Sequence, residues 1–193
     1  MLTQQNTGTG GPAPQIHTDR LLFRGHRLED FEDCAALWGD PEVTRYIGGR
    51  PFTREEVWTR LLRYVGHWSL MGFGFWAITE KSSGRFVGEV GFAEFKRDIQ
   101  PSIEGYPEGG WVLAKWAHGQ GLATEAVRAA TAWADAHLGS QRTVCMIIPE
   151  NAASLRVASK CGYSEFARTS YKNQSITLLE RINTQPSKAL EVE

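Results

Sequence analysis

Apolar residues in this chain recur with two different periods, and the period switches several times between residues 20 and 182. The segment "RLLFRGH" (20–26) has strand composition. In "RLEDFEDCAALWGD", Leu28, Phe31, Cys34, Ala35, Leu37 and Trp38 fall at helical spacing, and Asp40-Pro41 ends that helix. "EVTRYIGGRP" is irregular and closes on a Gly-Gly-x-Pro break. Thr53, with Glu56 three residues on, is a capping box for a helix over "TREEVWTRLLRYVGHWSLMG". Its expected apolar stripe is Val57, Leu61, Leu62, Val65 and Trp68.

The pattern then turns to period two. "GFWAITE" alternates, "KSSG" turns, and "RFVGEVGFAEF" returns, which predicts a hairpin. "RDIQPSIEGYPE" reads as a polar loop and "GGWVLA" as a further strand. A long helix over "GLATEAVRAATAWADAHLG" follows, with Leu122, Ala126, Ala130, Trp133 and His137 at near-helical spacing and Gly139 as its stop. "RTVCMIIP" is apolar enough for burial on both faces. Asn151 opens a helix that Gly162 closes, and "YSEFARTSYKNQSITLLERI" supplies one or two final strands. Strand, helix and strand around residues 109–148 imply a parallel pair with a right-handed crossover, and the preceding hairpin makes the sheet mixed. The fold class is therefore α/β or α+β, one sheet with helices on its faces.

Composition narrows the picture. The chain has 193 residues, 41% hydrophobic and 22% charged, which suits one globular domain. Its formal net charge of −1 gives no basic surface, so a nucleic-acid partner is not expected. No run of apolar residues is long enough to span a bilayer, and "MLTQQNTGTGGPAPQ" does not read as a signal peptide, so no membrane partner is expected. Residues 1–15 read as a disordered lead-in, 16–182 as the domain, and 183–193 as a flexible tail. Cys34, Cys145 and Cys161 have no metal-ligand spacing. Three scattered cysteines read as small buried hydrophobes, in a reducing, cytoplasmic setting without a metal.

The candidate chemistry begins at "HGQGLATEAV" (118–127). A helix start offers unpaired N–H groups and about half a positive charge, and glycines let an anion reach the backbone, so such a loop can cradle phosphate. A tight strand-to-helix turn would look the same. Neither G-x-x-x-x-G-K-[ST] nor G-x-G-x-x-G is present, which disfavours a nucleotide or dinucleotide site.

Three ordered segments together resemble one family. Glu108-Gly109-Gly110-Trp111 is followed by Gly119-Gln120-Gly121-Leu122-Ala123-Thr124-Glu125-Ala126, and then by Asn151, Ser154, Lys160, Gly162 and Tyr163. This series, with "TDRLLFRGHRLED" and "GRFVGEVGF" before it, resembles the GNAT superfamily of N-acetyltransferases over residues 16–182. The likeness is greatest to the branch that acetylates ribosomal-protein N-termini. It implies a GNAT-like, mostly antiparallel mixed sheet with helices on both faces, splayed between the strand at 109–114 and the strand at 142–148. It implies acetyl-CoA as co-substrate and direct transfer to a primary amine, either a protein N-terminus or a small molecule, and a homodimer is a fair expectation for the branch.

The resemblance also assigns residues. The coenzyme A diphosphate would lie on the backbone of His118, Gly119, Gln120, Gly121, Leu122, Ala123 and Thr124. The pantetheine arm would pair with Trp111 and Leu113, with Asn151 on its other side. His118 stands where the family usually has Arg or Gln, so either its backbone alone serves or its ring makes phosphate affinity depend on pH. Transfer needs a neutral amine: at pH 7 an α-amine is neutral roughly one time in ten, a lysine about once in 2,500. Glu108 is the candidate base, acting through water, and the bare "PEGG" around it leaves room for a substrate. Many members carry a tyrosine acid where this chain has Ala158; in this branch Ser154 would assist the departing thiolate, unless it only hydrogen-bonds locally. Lacking that tyrosine, the chain also fits an inactive acyl-CoA-binding sensor or interaction module. Trp58, Trp68, Phe73, Phe75 and Trp76 read as core and hairpin packing. Arg45, Arg50 and Arg54 are either solvated or a lure for an acidic peptide or carboxylate.

Overall fold

The computed structural model describes residues 13–183. Eight strands form one sheet in the order β1-β2-β3-β4-β5-β6-β8-β7. They are β1 (Ile16–His17), β2 (Leu21–Arg24), β3 (Phe75–Glu80), β4 (Phe86–Ala93), β5 (Glu108–Leu113), β6 (Arg142–Ile147), β7 (Ser164–Tyr171) and β8 (Gln174–Ile182). The predicted hairpin is β3–β4, and every neighbouring pair is antiparallel except β5 and β6. The helices are α1 (Phe31–Gly39), the single turn α2 (Pro41–Thr44), α3 (Arg54–Met71), α4 (Leu122–His137) and α5 (Ala152–Lys160). This is the mixed, mostly antiparallel architecture expected from the sequence.

The β5–β6 pair opens the sheet. Its only register partners are Glu108 and Val144, joined by the Val144 amide donating to the Pro107 carbonyl at 3.1 Å. Beyond that point the strands separate. On its other edge β5 stays zipped to β4 from Glu108 to Leu113, and the Ala114 amide donates to Val87. Antiparallel alternation then turns the N–H and C=O groups of Trp111 and Leu113, beyond the bridge to Val144, into the gap. The splay lies where it was expected.

The core has separate parts. Cys34, Leu37, Trp38, Val57, Leu61 and Val112 pack beneath α1 and α3. Leu122, Ala126, Ala130 and Ala134 of α4 pack on Phe23, Trp76, Val90 and Leu113. Ile99 and Ile103, in the segment read as a polar loop, are buried against Val144, Ile176 and Leu178.

The capping box of Thr53 and Glu56 forms as predicted, but the stripe of α3 needs correcting. Val57, Leu61, Tyr64 and Trp68 are its buried residues, while Leu62 and Val65 are 51% and 48% exposed. Tyr64 takes the inward place because its ring stacks on Phe75 at 4.8 Å, which leaves Leu62 and Val65 on the adjacent flank with Trp58. Of the expected lead-in, residues 1–12 lie outside the described residues. Ala13 packs on the core, and the Pro14 carbonyl accepts a 2.8 Å hydrogen bond from the Trp76 indole. Of the expected tail only Asn183 is described. No helix among the described residues is long and apolar enough to cross a membrane.

Candidate active site

Two cavities flank the fork in the sheet. One, of about 440 Å³, runs between α3, Phe75, Phe95, Arg97 and the β7–β8 turn. The other, of about 530 Å³, lies over the glycine loop and α5. Tyr46, Ile47, Trp111, Val112, Asn151 and Ser154 line both, so the two meet across the opened edge of β5.

The glycine loop is built for backbone exposure. Gly119 and Gly121 have φ of +74° and +78°, which side chains adopt only under strain. A Cβ at Gly119 would meet nothing within 4 Å. Gly121 is the N-cap of α4, with no side-chain cap, and its carbonyl accepts from the Glu125 amide. The amides of Leu122, Ala123 and Thr124 therefore precede the first helical hydrogen bond and point out of the helix end. The side chain of Leu122 is buried in the core. The Gln120 side chain turns away, its Nε2 donating to the Trp116 carbonyl at 2.6 Å. Gly119, Gly121, Ala123 and Thr124 line the cavity.

A staple that sequence reasoning missed holds this loop to the turn between β1 and β2. Glu125 accepts from the Thr18 hydroxyl at 2.6 Å, from the Arg20 amide at 3.0 Å and from Arg20 Nε at 2.7 Å. Arg20 also donates to the Gln120 carbonyl at 2.9 Å. Burial works against the Glu125 charge, but the hydrogen bonds from Thr18 and Arg20 outweigh it and hold the carboxyl below its ordinary pKa. Arg156 and Lys160 of α5, also absent from the expected site, line the same cavity.

His118 lines that cavity, but its Nε2 lies 2.9 Å from the Leu113 carbonyl. A carbonyl only accepts, so the ring donates there, and that group of the open strand edge is occupied. Trp111 keeps both of its backbone groups toward the gap. Asn151 caps α5 by accepting from the Ser154 amide at 3.1 Å. The Ser154 hydroxyl has no hydrogen-bond partner among the described residues and faces both cavities.

Glu108 sits at the point of the fork and is 8% exposed. It is not a free carboxylate. Arg97 grips it with two hydrogen bonds, Nε to Oε2 at 2.6 Å and Nη2 to Oε1 at 2.8 Å. Arg97 in turn lies over Phe95 and reaches the Tyr171 hydroxyl at 3.4 Å. Burial opposes the Arg97 charge, and Glu108 more than offsets that, so the guanidinium pKa is raised. The bare glycines beside Glu108 do not simply leave room for substrate. A Cβ at Gly110 would stand 2.8 Å from the Phe75 ring, and one at Gly109 would stand 3.1 Å from the Tyr163 hydroxyl and 3.2 Å from Phe92. Core aromatics need that space.

The cationic residues singled out from sequence lie elsewhere. Arg50 pairs with Glu56 and Arg54 with Glu32, both exposed, and Arg45 lies over Tyr46. None of the three lines either cavity. The larger-numbered arginines do: Arg60, Arg63 and Arg97, with Lys172, line the cavity that holds Glu108. Arg60 and Arg63 share a helix flank with Tyr64, a pairing visible in "RLLRY" but indistinguishable there from a solvated face.

The cysteines are free and buried, as expected, and burial raises the Cys145 and Cys161 thiols, which removes them as nucleophiles. Ala158, at the position of the family's tyrosine acid, is fully buried. Tyr163 is buried with its hydroxyl 3.0 Å from Thr143, a packing role as expected.

Comparison with known proteins gives the family and the fold. The chain is 31% identical over 175 residues to the uncharacterized protein YkkB of Bacillus subtilis strain 168, covering 86% of this chain and 95% of that one. It is 27% identical over 151 residues to the uncharacterized N-acetyltransferase p20 of Bacillus licheniformis, covering 78% and 82%. A solved structure from Bordetella pertussis, assigned to the GnaT acetyltransferases, superposes with a TM-score of 0.77 at 31% identity, covering 88% of this chain and 99% of that one. Two more distant structures share the fold: a spermidine N-acetyltransferase from Vibrio cholerae with CoA and spermine (TM-score 0.70, 14% identity, 86% and 98% covered), and RimL, a ribosomal L7/L12 α-N-protein acetyltransferase with coenzyme A (TM-score 0.72, 15% identity, 89% and 100% covered). The acetyltransferase (GNAT) domain model matches residues 20–164, and the chain belongs to that family.

Proposed function

We propose that this enzyme transfers an acetyl group from acetyl-CoA directly to a primary amine across the fork between β5 and β6. The observation that carries this reading is the juxtaposition there: a sheet edge open beyond Glu108, an uncapped helix N-terminus at one end and an ion-paired carboxylate at the other. The amides at 122–124 and the glycines at 119 and 121 suit a diphosphate, whose charge is stabilised by unpaired N–H groups. Arg156 and Lys160 add positive charge on the same side. Trp111, with the Leu113 amide and Asn151, suits the amide-bearing arm. When bound, acetyl-CoA supplies an activated acyl group as its thioester.

The chain's own groups do the rest. The two Arg97 hydrogen bonds fix the Glu108 carboxyl at the fork, where its oxygens accept a hydrogen bond from an amine or a bridging water. Each carboxylate oxygen retains lone-pair capacity beyond the Arg97 bonds. Glu108 therefore orients the acceptor nitrogen and passes its proton to water. Ser154, whose hydroxyl is uncommitted, donates to the departing sulfur. Buried Ala158 favours a second reading, an acyl-CoA-binding module without turnover. Calorimetric titration with CoA, then thiol release in the presence of an amine panel, separates the two. CoA binding with thiol release supports transfer, CoA binding without release supports the module, and no CoA binding removes both.

A further inference from the structure

The cavity around Glu108 is cationic and aromatic at once. Its charged lining is Arg60, Arg63, Arg97 and Lys172 against the single carboxylate of Glu108. Arg97 and Glu108 satisfy each other, so the remaining three charges are all positive. Neither Arg60 nor Arg63 has an ion-pair partner among the described residues. Arg60 lies against two rings that meet edge to face, its guanidinium carbon 3.8 Å from the Trp38 centroid and 4.8 Å from that of Phe52. Its Nη1 reaches the Tyr64 hydroxyl at 3.3 Å, yet its Nε is buried with no hydrogen-bond partner. The nearest balancing charge, Glu89, is buried behind Trp38 and is already bonded to the Trp38 indole at 3.0 Å and faces His26 at 3.4 Å. Arg63 lies 5.2 Å over Phe95 and 5.7 Å over Tyr64. Desolvation, with the like charges of Arg60 and Arg97, lowers its pKa from the ordinary arginine value.

The buried Nε lies out of a ligand's reach, but Nη2 of Arg60 has no hydrogen-bond partner among the described residues and can donate to a ligand in the cavity. A planar guanidinium matches a carboxylate through paired N–H···O bonds, and the rings around it offer apolar surface to the rest of the molecule. A polyamine would bring further positive charge into a lining that already carries a surplus of it. Resting on the transfer reading above, we propose that the acceptor is a small amine that also carries a carboxylate on an apolar or aromatic body. The carboxylate meets Arg60 and Arg63, and the amine meets Glu108. A cavity of about 440 Å³ matches a small molecule rather than a folded protein surface.

The test uses matched acceptors with the full chain and acetyl-CoA. Each set holds an aromatic or branched α-amino acid, its primary amide and its decarboxylated amine; spermine and a peptide with an acidic second residue complete the panel. Calorimetric titration with CoA comes first, and a chain that fails to bind CoA overturns the transfer reading along with this one. Where CoA binds, thiol release with mass detection of the product is expected to favour the free acid over its amide by at least about tenfold in kcat/KM. Arg60→Gln and Arg63→Gln are each expected to raise KM for the acid by about 10- to 100-fold, with KM for the amide and CoA affinity little changed. Equal rates for acid and amide, a preference for spermine, or a preference that survives both substitutions overturns the proposal while leaving acetyl transfer standing. A peptide that outcompetes every free acid likewise overturns the small-molecule assignment. If no acceptor turns over, the same sets are titrated into the CoA-loaded chain, where tighter binding of the acid supports the proposal and equal or absent binding overturns it.

Discussion

The two cavities that meet at the fork are made from different materials. The one over the glycine loop is mostly main chain: amides at the start of α4, two left-handed glycines and the free edge of β5. The one around Glu108 is mostly side chain, drawn from the 46–52 segment, α3, β3, the 95–97 loop and the β7–β8 turn. Backbone groups are identical in every protein, so a surface made of them recognises what is constant in a reaction. Side chains differ, so a surface made of them recognises what varies. The contrast assigns the constant co-substrate to the first cavity and the distinguishing acceptor to the second. Substitutions on the two sides should then separate, one set moving CoA affinity and the other moving turnover or acceptor choice.

The largest separation is expected from Glu108→Gln. It removes the charge that orients the amine and should lower kcat by about 10²- to 10⁴-fold, with CoA affinity nearly unchanged in calorimetry. It also strands the Arg97 guanidinium, with a loss of about 1–3 kcal/mol in stability. The double variant Glu108→Gln, Arg97→Met removes the stranded charge. It should recover thermal stability and no activity, which distinguishes a chemical role from a structural one. An intact rate in the single variant takes Glu108 out of the mechanism.

Gly119→Glu tests the other side. The Cβ position there is open, so the added carboxylate enters the cleft beside the phosphate cradle, and the CoA dissociation constant should rise about 100-fold or more. Gly121 is the less decisive choice, because a side chain there meets Arg20 Nη2 at 3.7 Å from its Cβ and its charge would be masked. Gly119→Ala carries the backbone strain of φ +74° without the charge and should lose about 1–2 kcal/mol of stability with a much smaller change in affinity. Unchanged affinity in Gly119→Glu would refute the phosphate assignment of the loop.

The same division explains what the sequence disclosed. A backbone site is written in contiguous residues, because glycines and a helix start must follow one another. Hence the glycine turn that opens α4 and the helix start at Asn151 were legible in the residues themselves, whereas the place of the fork came only with the family resemblance. The side-chain site is written in residues that are far apart. Arg97 and Glu108 are joined only because the 94–107 loop folds back over β6 and β8 on Ile99 and Ile103, and no periodic signal marks that return. Arg60 and Arg63 are adjacent on a helix in the sequence but not marked there as the wall of a cavity, since nothing local shows that Trp38 and Phe52 come up against Arg60, or Phe95 against Arg63. The stripe of α3 was misread at Leu62 and Val65 because hydropathy ranks them above Tyr64, whereas stacking on Phe75 decides which residue faces inward. Strand β1, with two residues, and the single turn α2 are too short to carry a period.

Ser154→Ala sharpens the boundary between the cavities, since this residue lines both. The cap of α5 is made by Asn151 and the Ser154 amide, not by the hydroxyl, so the variant should keep its melting temperature. A hydroxyl that donates to a developing thiolate is worth about tenfold in kcat, measured by thiol release at saturating acceptor. A loss of stability with no loss of rate would return Ser154 to a purely local role.

The smallest effect expected concerns how the donor side is held together. Glu125 has its carboxyl lowered in the fold, because hydrogen bonds from Thr18 and Arg20 outweigh the burial that opposes its charge. A lowered carboxylate contributes stability that is fully present above its unfolded value of about 4.3 and is lost as pH falls through the folded value. The melting-temperature gap between the native chain and Glu125→Gln should therefore be constant from neutral pH down to about 5 and shrink below about 4. CoA affinity should weaken over the same interval, since the staple fixes the loop that carries the cradle. A gap that persists undiminished at pH 3 would mean that the staple acts through packing and neutral hydrogen bonds, and the loop would then owe its position to the glycines and the buried Leu122 alone.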